Sequence, residues 1–214
     1  MYGRVFGVTV LGVGGHLVTV EAYVGRGLPS LTLTGLPGAA VRDATERIRP
    51  AVESQRLEWP LRRVVVNLAP ATLRKEGPGL DLPVAAGVLA ATAQVPTTEL
   101  GRFALAGELS LKGELMPTPG ILSVAIAAAR ARLHGVVVPA VNALEAAQVD
   151  GLRVVAASTL AEVVGFLRGA WWPPPVEEPP FEAEQPSEVD FRDVRGQTQA
   201  RRALEVAAAG GTTC

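Results

Sequence analysis

Lys75-Glu76-Gly77-Pro78-Gly79-Leu80-Asp81-Leu82-Pro83, running on into the apolar stretch Val84 to Ala93, decides how this chain folds. Upstream lies Val64-Val65-Val66-Asn67-Leu68-Ala69-Pro70, a β-branched run that reads as a buried strand. Downstream the sequence is Ala-rich with a helical period. The motif is therefore a Gly/Pro loop carrying the chain from a strand into a helix. Asp81 suits an N-cap, and Pro83 falls among the first helical positions, where a missing N–H costs nothing. Such a loop presents backbone N–H groups at a positive helix terminus and can serve as an anion site or an oxyanion hole. The plainer reading is a capped helix after a tight turn. Lys75 and Glu76 are a further candidate pair, expected to be exposed, where an ion pair contributes little.

Several separated motifs carry a family resemblance in the right order. Asn67-Leu68-Ala69-Pro70, Lys75-Glu76-Gly77 and Asp81-Leu82-Pro83 look like the N-terminal domain of the magnesium-chelatase-like AAA+ ATPases of the ComM (YifB) family. Gly35-Leu36-Pro37-Gly38-Ala39-Ala40-Val41, opening into a charged helix, resembles another segment of that domain. The family domain is similar to the Lon protease domain. The resemblance thus implies a two-layer α/β (α+β) fold of the ribosomal protein S5 domain 2-like, Lon-protease-like type over residues 1–170.

The same resemblance tests for a hydrolase. Gly107-Glu108-Leu109-Ser110-Leu111-Lys112-Gly113 and then Pro117, Pro119-Gly120-Ile121-Leu122 look like the corresponding run of Lon-type proteases. In those enzymes a serine of a Gly-Pro-Ser loop pairs with a lysine after a Gly-Gly-Leu motif, the lysine serving as base to the hydroxyl. Here the loop reads Gly77-Pro78-Gly79, and Ser123 follows Gly120-Ile121-Leu122. Both partners of the dyad are missing, so no catalytic residue is assigned and no peptidase activity is expected.

Away from the central loop, alternating β-branched stretches predict strands at Val5–Val10, His16–Val24 and Ser30–Thr34, with Gly12-Val13-Gly14-Gly15 as a hairpin turn rather than a dinucleotide fingerprint. Apolar residues at Val41, Ala44, Ile48, Ala51 and Val52 make a helical stripe over Ala39–Gln55, which Pro50 should kink or restart. Arg42, Arg47 and Arg49 fall mostly on its solvated side. Residues 103–115 read as a hairpin or two strands, and Ile121–Leu133 as a helix stopped by Arg130, Arg132, His134 and Gly135. A strand at Val136–Pro139, a short helix at Asn142–Gln148, a strand at Leu152–Val155 and a helix at Thr159–Leu167 complete the pattern. His16 and His134 lack metal-ligand spacing.

Composition narrows the classes. The chain has 214 residues, is 48% hydrophobic and carries a formal net charge of −1, which argues against a general nucleic-acid sponge. Its only cysteine is Cys214, so no internal disulfide can form; that fits a reducing cytoplasm. No apolar run is long enough to span a bilayer, and none follows the first residues as a secretory signal would. All basic residues are Arg except Lys75 and Lys112, which reads as genome composition. Residues 1–172 hold 16 basic and 13 acidic residues, whereas 173–190 hold six acids and no base. That break, with Trp171-Trp172-Pro173-Pro174-Pro175 ahead of it, predicts an extended Pro/Glu-rich linker over residues 171–189.

Residues 190–214 carry a second resemblance. Asp190-Phe191-Arg192-Asp193-Val194-Arg195-Gly196-Gln197, followed by a helix from Ala200 to Gly211, looks like the opening of an AAA+ module. By that resemblance Val194, Arg195 and Gly196 would contact the adenine of a bound nucleotide. A P-loop, GxxxxGK[ST], is not present, and no lysine follows Lys112. Walker A and B motifs are missing too, so this polypeptide is expected to be a truncated fragment that does not itself hydrolyse or tightly hold ATP. The resemblance implies that full-length members use ATP and Mg and self-associate into a ring, a hexamer by resemblance. That ring would remodel DNA by branch migration during recombination of transforming strands in competence. The N-terminal domain would serve assembly or substrate engagement. A free-standing interaction domain without nucleotide dependence is the alternative reading, and a degenerate serine-lysine hydrolase the remaining one.

Overall fold

The computed structural model describes residues 1–176 and 195–210. The chain divides into two compact units, Met1–Glu177 and Glu178–Cys214. The first is built on a seven-stranded mixed sheet in the order β3-β4-β2-β1-β5-β8-β9, where β1 is Tyr2–Leu11, β2 Gly14–Gly25, β3 Ser30–Thr34, β4 Arg63–Ala69, β5 Phe103–Leu105, β8 Gly135–Pro139 and β9 Arg153–Ala157. β1 and β2 form an antiparallel hairpin in full register, Tyr2 opposite Tyr23 and Leu11 opposite Gly14. β4 pairs antiparallel with β2, while β3–β4, β1–β5, β5–β8 and β8–β9 are parallel. A small ribbon, β6 (Glu108–Leu109) against β7 (Leu115–Met116), stands apart.

Helices cover the sheet unequally. On one face lie α1 (Ala39–Ser54), α2 (Asp81–Ala91) and α6 (Leu160–Leu167), whose buried side chains share a core with Val5, Val20, Val24, Val64, Val66 and Leu68. Every residue of α2 is buried, and a helix apolar on all sides suits a position enclosed by sheet and neighbouring helices. α4 (Ile121–Arg130) and α5 (Ala143–Ala147) pack on the other face, but only over the β5-β8-β9 half and the end of the hairpin near Val8 and Leu17. A one-turn helix, α3 (Thr97–Leu100), precedes β5. This is a two-layer α/β arrangement of the Lon-like kind.

The five apolar residues of the stripe forecast for α1, Val41, Ala44, Ile48, Ala51 and Val52, are its buried ones. α1 continues through Pro50, so the helix does not restart there. Proline removes one donor, and the buried stripe on either side of it holds the helix together. The helix stop at Gly135 is also corrected. α4 ends at Arg130, Arg132 takes the left-handed conformation at φ 56°, and Gly135 is the first residue of β8. Glycine is required there because a Cβ would stand 2.2 Å from the carbonyl oxygen of Arg153 on the next strand. The 103–115 segment splits, with β5 joining the main sheet and only β6 and β7 pairing as a ribbon. Thr159 caps α6, its hydroxyl accepting from the Glu162 N–H at 3.2 Å.

Trp171 packs against the core, and Trp172 stacks edge-on against Phe166 with ring centroids 5.6 Å apart. The remaining residues of the expected linker, 177–189, lie outside the described residues. In the second unit α7 spans Thr198–Gly210.

Candidate functional site

The loop that leaves β4 and enters α2 forms one wall of a cleft of about 280 Å3. Val8 and Val10 of β1 supply its floor, Gly77 and Gly79 one lip, and Thr118, Gly120 and Val124 the other. A single turn of 3-10 helix, Pro78–Leu80, leads directly into α2. Gly79 accepts from the Gly107 N–H through its carbonyl, and the Leu82 N–H donates to Gly107, each at 3.0 Å, so the loop is sewn to the segment before β6.

The positions that resemble the Lon dyad sit at this cleft and hold no dyad. Gly79 lines it without a side chain, and Ser123, next to the lining Val124, turns its hydroxyl to the carbonyl of Val13 at 2.8 Å. Thr118 contributes the lining hydroxyl, but that group donates to Met116 at 3.0 Å and accepts from the Glu108 N–H at 3.2 Å. Its own N–H donates to Asn142 Oδ1 at 2.9 Å. Glu76 pairs with Arg74 at the surface. A nucleophile needs a base within hydrogen-bond reach, and neither Gly79 nor Ser123 has one.

Lys75 is the residue that sequence reasoning misplaced. It was expected to be exposed, yet it is fully buried. Its ammonium donates to the carbonyl of Gly35 at 2.7 Å and to that of Pro70. Its backbone joins the same loop: the Lys75 N–H donates to Leu36, and the Gly38 N–H donates to Lys75. Gly35 and Leu36 both adopt positive φ, 89° and 61°, and a Cβ on Gly35 would stand 2.1 Å from the Leu68 carbonyl oxygen. Lys75 thereby ties the loop after β3 to the exit of β4, behind the lip of the cleft. Burial pushes its ammonium pKa down, because charge is costly away from water. Its chemistry suits the place, a compact ammonium meeting carbonyls rather than carboxylates. Thr9 completes the anchorage, its hydroxyl accepting from the Glu76 N–H at 3.0 Å and donating to the Glu76 carbonyl at 3.2 Å.

Asp81 does not cap its helix, contrary to the sequence expectation. The N-cap position is Leu80, with no side-chain cap bond. The buried Asp81 carboxylate instead accepts both arms of Arg47, Nε at 2.9 Å and Nη2 at 3.1 Å, and the Leu109 N–H at 3.3 Å. Arg47, read as part of a solvated face, thus locks α1 to α2 and to β6. Burial lifts the Asp81 pKa above the ordinary carboxylate value, while Arg47 and the Leu109 N–H pull against it. The Arg47 guanidinium is held more firmly protonated by that bond. A carboxylate with this much to satisfy nearby outcompetes its own helix terminus for partners.

Of the residues assigned to adenine by resemblance, Val194 lies outside the described residues. Arg195 and Gly196 are exposed, Gly196 at φ 79° with open space where a Cβ would stand. Gly196 borders a hollow with Thr198, Arg201, Arg202 and Glu205, and no GxxxxGK[ST] motif is present in the sequence. Among the described residues no three His, Cys, Asp or Glu side chains cluster to hold a metal ion. No described helix is long and apolar enough to cross a membrane.

The fold and the empty dyad together define a Lon-like α/β unit that lacks the peptidase machinery. Residues 20–142 match the family described as subunit ChlI of Mg-chelatase, and the chain belongs to that family. It is 42% identical over 208 residues to an uncharacterized protein of Mycobacterium tuberculosis, covering 97% of this chain and 41% of that relative. It is 38% identical over 204 residues to competence protein ComM of Haemophilus influenzae, covering 94% of this chain and 40% of the relative. Lon protease of Geobacter metallireducens is 26% identical over 185 residues, 81% of this chain and 22% of that enzyme. The chain thus spans about two fifths of the length of the ComM-like relatives.

Proposed function

We propose that this chain is the N-terminal module of a ComM-type AAA+ ATPase, non-catalytic in itself, that serves ring assembly or substrate engagement. The full-length protein would be a cytoplasmic, ATP- and Mg-dependent ring acting on DNA during recombination of incoming strands. The observation that carries this reading is the cleft lined by Gly79, with Ser123 next to the lining Val124, where a serine and a lysine would be needed. A Lon-like scaffold that keeps its architecture and not its nucleophile is suited to holding or presenting rather than cutting. Residues 1–170 would be the module, 171–189 a linker, and 190–214 the beginning of the motor, with Val194, Arg195 and Gly196 meeting adenine once the rest of the motor encloses them.

The test is the native product isolated from its own cells. The expected result is an intact mass well above 22.3 kDa, nucleotide-dependent assembly on sizing, and ATP hydrolysis that rises when DNA is added. A product of 22.3 kDa whose size and melting ignore nucleotide would overturn it in favour of a free-standing interaction domain.

A further inference from the structure

We infer that the bare half of the sheet is a binding face for single-stranded nucleic acid. This rests on the reading of the module as a substrate-engaging part and adds where and how it engages. α4 covers this face of β1 and β2 only around Val8, Val10 and Leu17; beyond that end, Tyr2 and Arg4 on β1 and Tyr23 on β2 point away from α1 and α2 and are exposed. Tyr2 and Tyr23 stand directly opposite each other on β1 and β2 and are 56% and 55% exposed. Arg4 and Phe6 follow along the same face of β1, with the Arg4 guanidinium 5.1 Å from the Phe6 ring centroid. Arg63 extends the face on β4.

A protein that needed only solubility would present short polar side chains here, as β3 does with Ser30, Thr32 and Thr34. The hairpin instead offers aromatic rings and a guanidinium on a rigid surface. Strand geometry puts Tyr2 and Phe6 roughly 13 Å apart, with Arg4 about midway. That spacing suits two stacked bases of an extended strand with a cation between them for a phosphate. Glu21, opposite Arg4 on β2, keeps its charge, its carboxylate accepting from the Tyr2 hydroxyl at 2.9 Å and from Asn67 Nδ2 at 3.0 Å. Those bonds also fix the Tyr2 ring. The face continues past Gly101, which borders both the hollow beside Tyr2, Arg4 and Phe6 and the polar hollow formed by Arg102, Arg132 and His134. Glu99 pairs with Arg102 there, leaving Arg132 as the further cation for a trailing phosphate. Sequential stacking with cations in line favours an unpaired strand, because a duplex hides its base faces.

A fluorescein-labelled oligothymidylate, titrated with the 214-residue chain at low salt and followed by anisotropy, tests the proposal. The expected result is saturable binding that weakens steeply with salt, with quenching of tyrosine fluorescence. Tyr23→Ala and Arg4→Glu each weaken it about tenfold, the size of one lost base stack or a reversed phosphate contact. Arg49→Glu, on the outer surface of α1, leaves it unchanged. The proposal is overturned by absence of binding, by tighter binding to duplex of the same length, or by equal losses in all three variants. It is equally overturned if Tyr23→Ala proves, by sizing, to split a dimer formed through this face. The parent reading fails separately. If DNA stimulates ATP hydrolysis by the native product and Arg4→Glu changes nothing, the face is wrong and the module's role stands. If DNA gives no stimulation, that role falls first.

Discussion

Lys75 and Arg47 are cations that the sequence places on the surface and the structure places at joints. Each acts by satisfying oxygens that would otherwise be buried without a partner. Lys75→Met keeps the volume and removes the donors, leaving the carbonyls of Gly35 and Pro70 unpaired; we expect a loss of about 2 kcal/mol in urea unfolding. Arg47→Ala strands the Asp81 carboxylate and should cost about 3 kcal/mol at neutral pH. Its pH dependence has a definite sign. Burial already raises the folded pKa of Asp81, so this group's contribution is most favourable below the unfolded value and is lost as pH rises through the folded one. Without Arg47 the folded value rises further. The deficit of Arg47→Ala relative to the parent should therefore shrink as the pH is lowered from neutral and the carboxyl takes up its proton. A deficit that grew over that range would show Asp81 to be held mainly by something other than Arg47. Neither cation was legible from the sequence, because the Asp81 carboxylate that holds Arg47 lies 34 residues away and the Gly35 carbonyl that helps to hold Lys75 lies 40 residues away.

At the scale of elements most of the fold was legible, and the exceptions share a cause. β3 matches its sequence boundaries, and the buried face of α1 was read residue by residue, since a period of 3.6 is a local property. Gly135 reads locally as a stop but is fixed by a neighbouring strand, and the helix does not restart at Pro50 because a buried stripe runs on either side of it. If α1 tolerates Pro50 only through packing, then Pro50→Ala should restore a helical hydrogen bond and raise stability by about 1 kcal/mol. No gain in Tm would mean that the proline is offset by a stiffer unfolded chain. Gly35→Ala is expected to do the opposite, since the new methyl would meet the Leu68 carbonyl and the residue holds positive φ. Loss of soluble protein, or a Tm lower by many degrees, is the expected outcome.

For the molecule as a whole, the cleft of the Lon-like unit and the bare half of its sheet are separate surfaces with different chemistry. The cleft's place was readable from the order of the motifs. That a glycine and a serine stand at the two dyad positions was readable from Gly79 and Ser123. The sheet face was not, because register across the hairpin is what sets Tyr2 beside Tyr23. A fluorophosphonate reagent should leave the intact mass unchanged, and a fluorogenic peptide should not be turned over; an adduct at Ser123 would contradict the geometry described. The burial of Lys75 also has a practical meaning. The sequence has only one other lysine, Lys112, which is exposed on the turn between β6 and β7. An amine-directed dye used above the pKa of an ordinary lysine would therefore attach at a single ε-position. The folded protein distinguishes its two lysines by itself, one ε-amine open to reagent and the other enclosed.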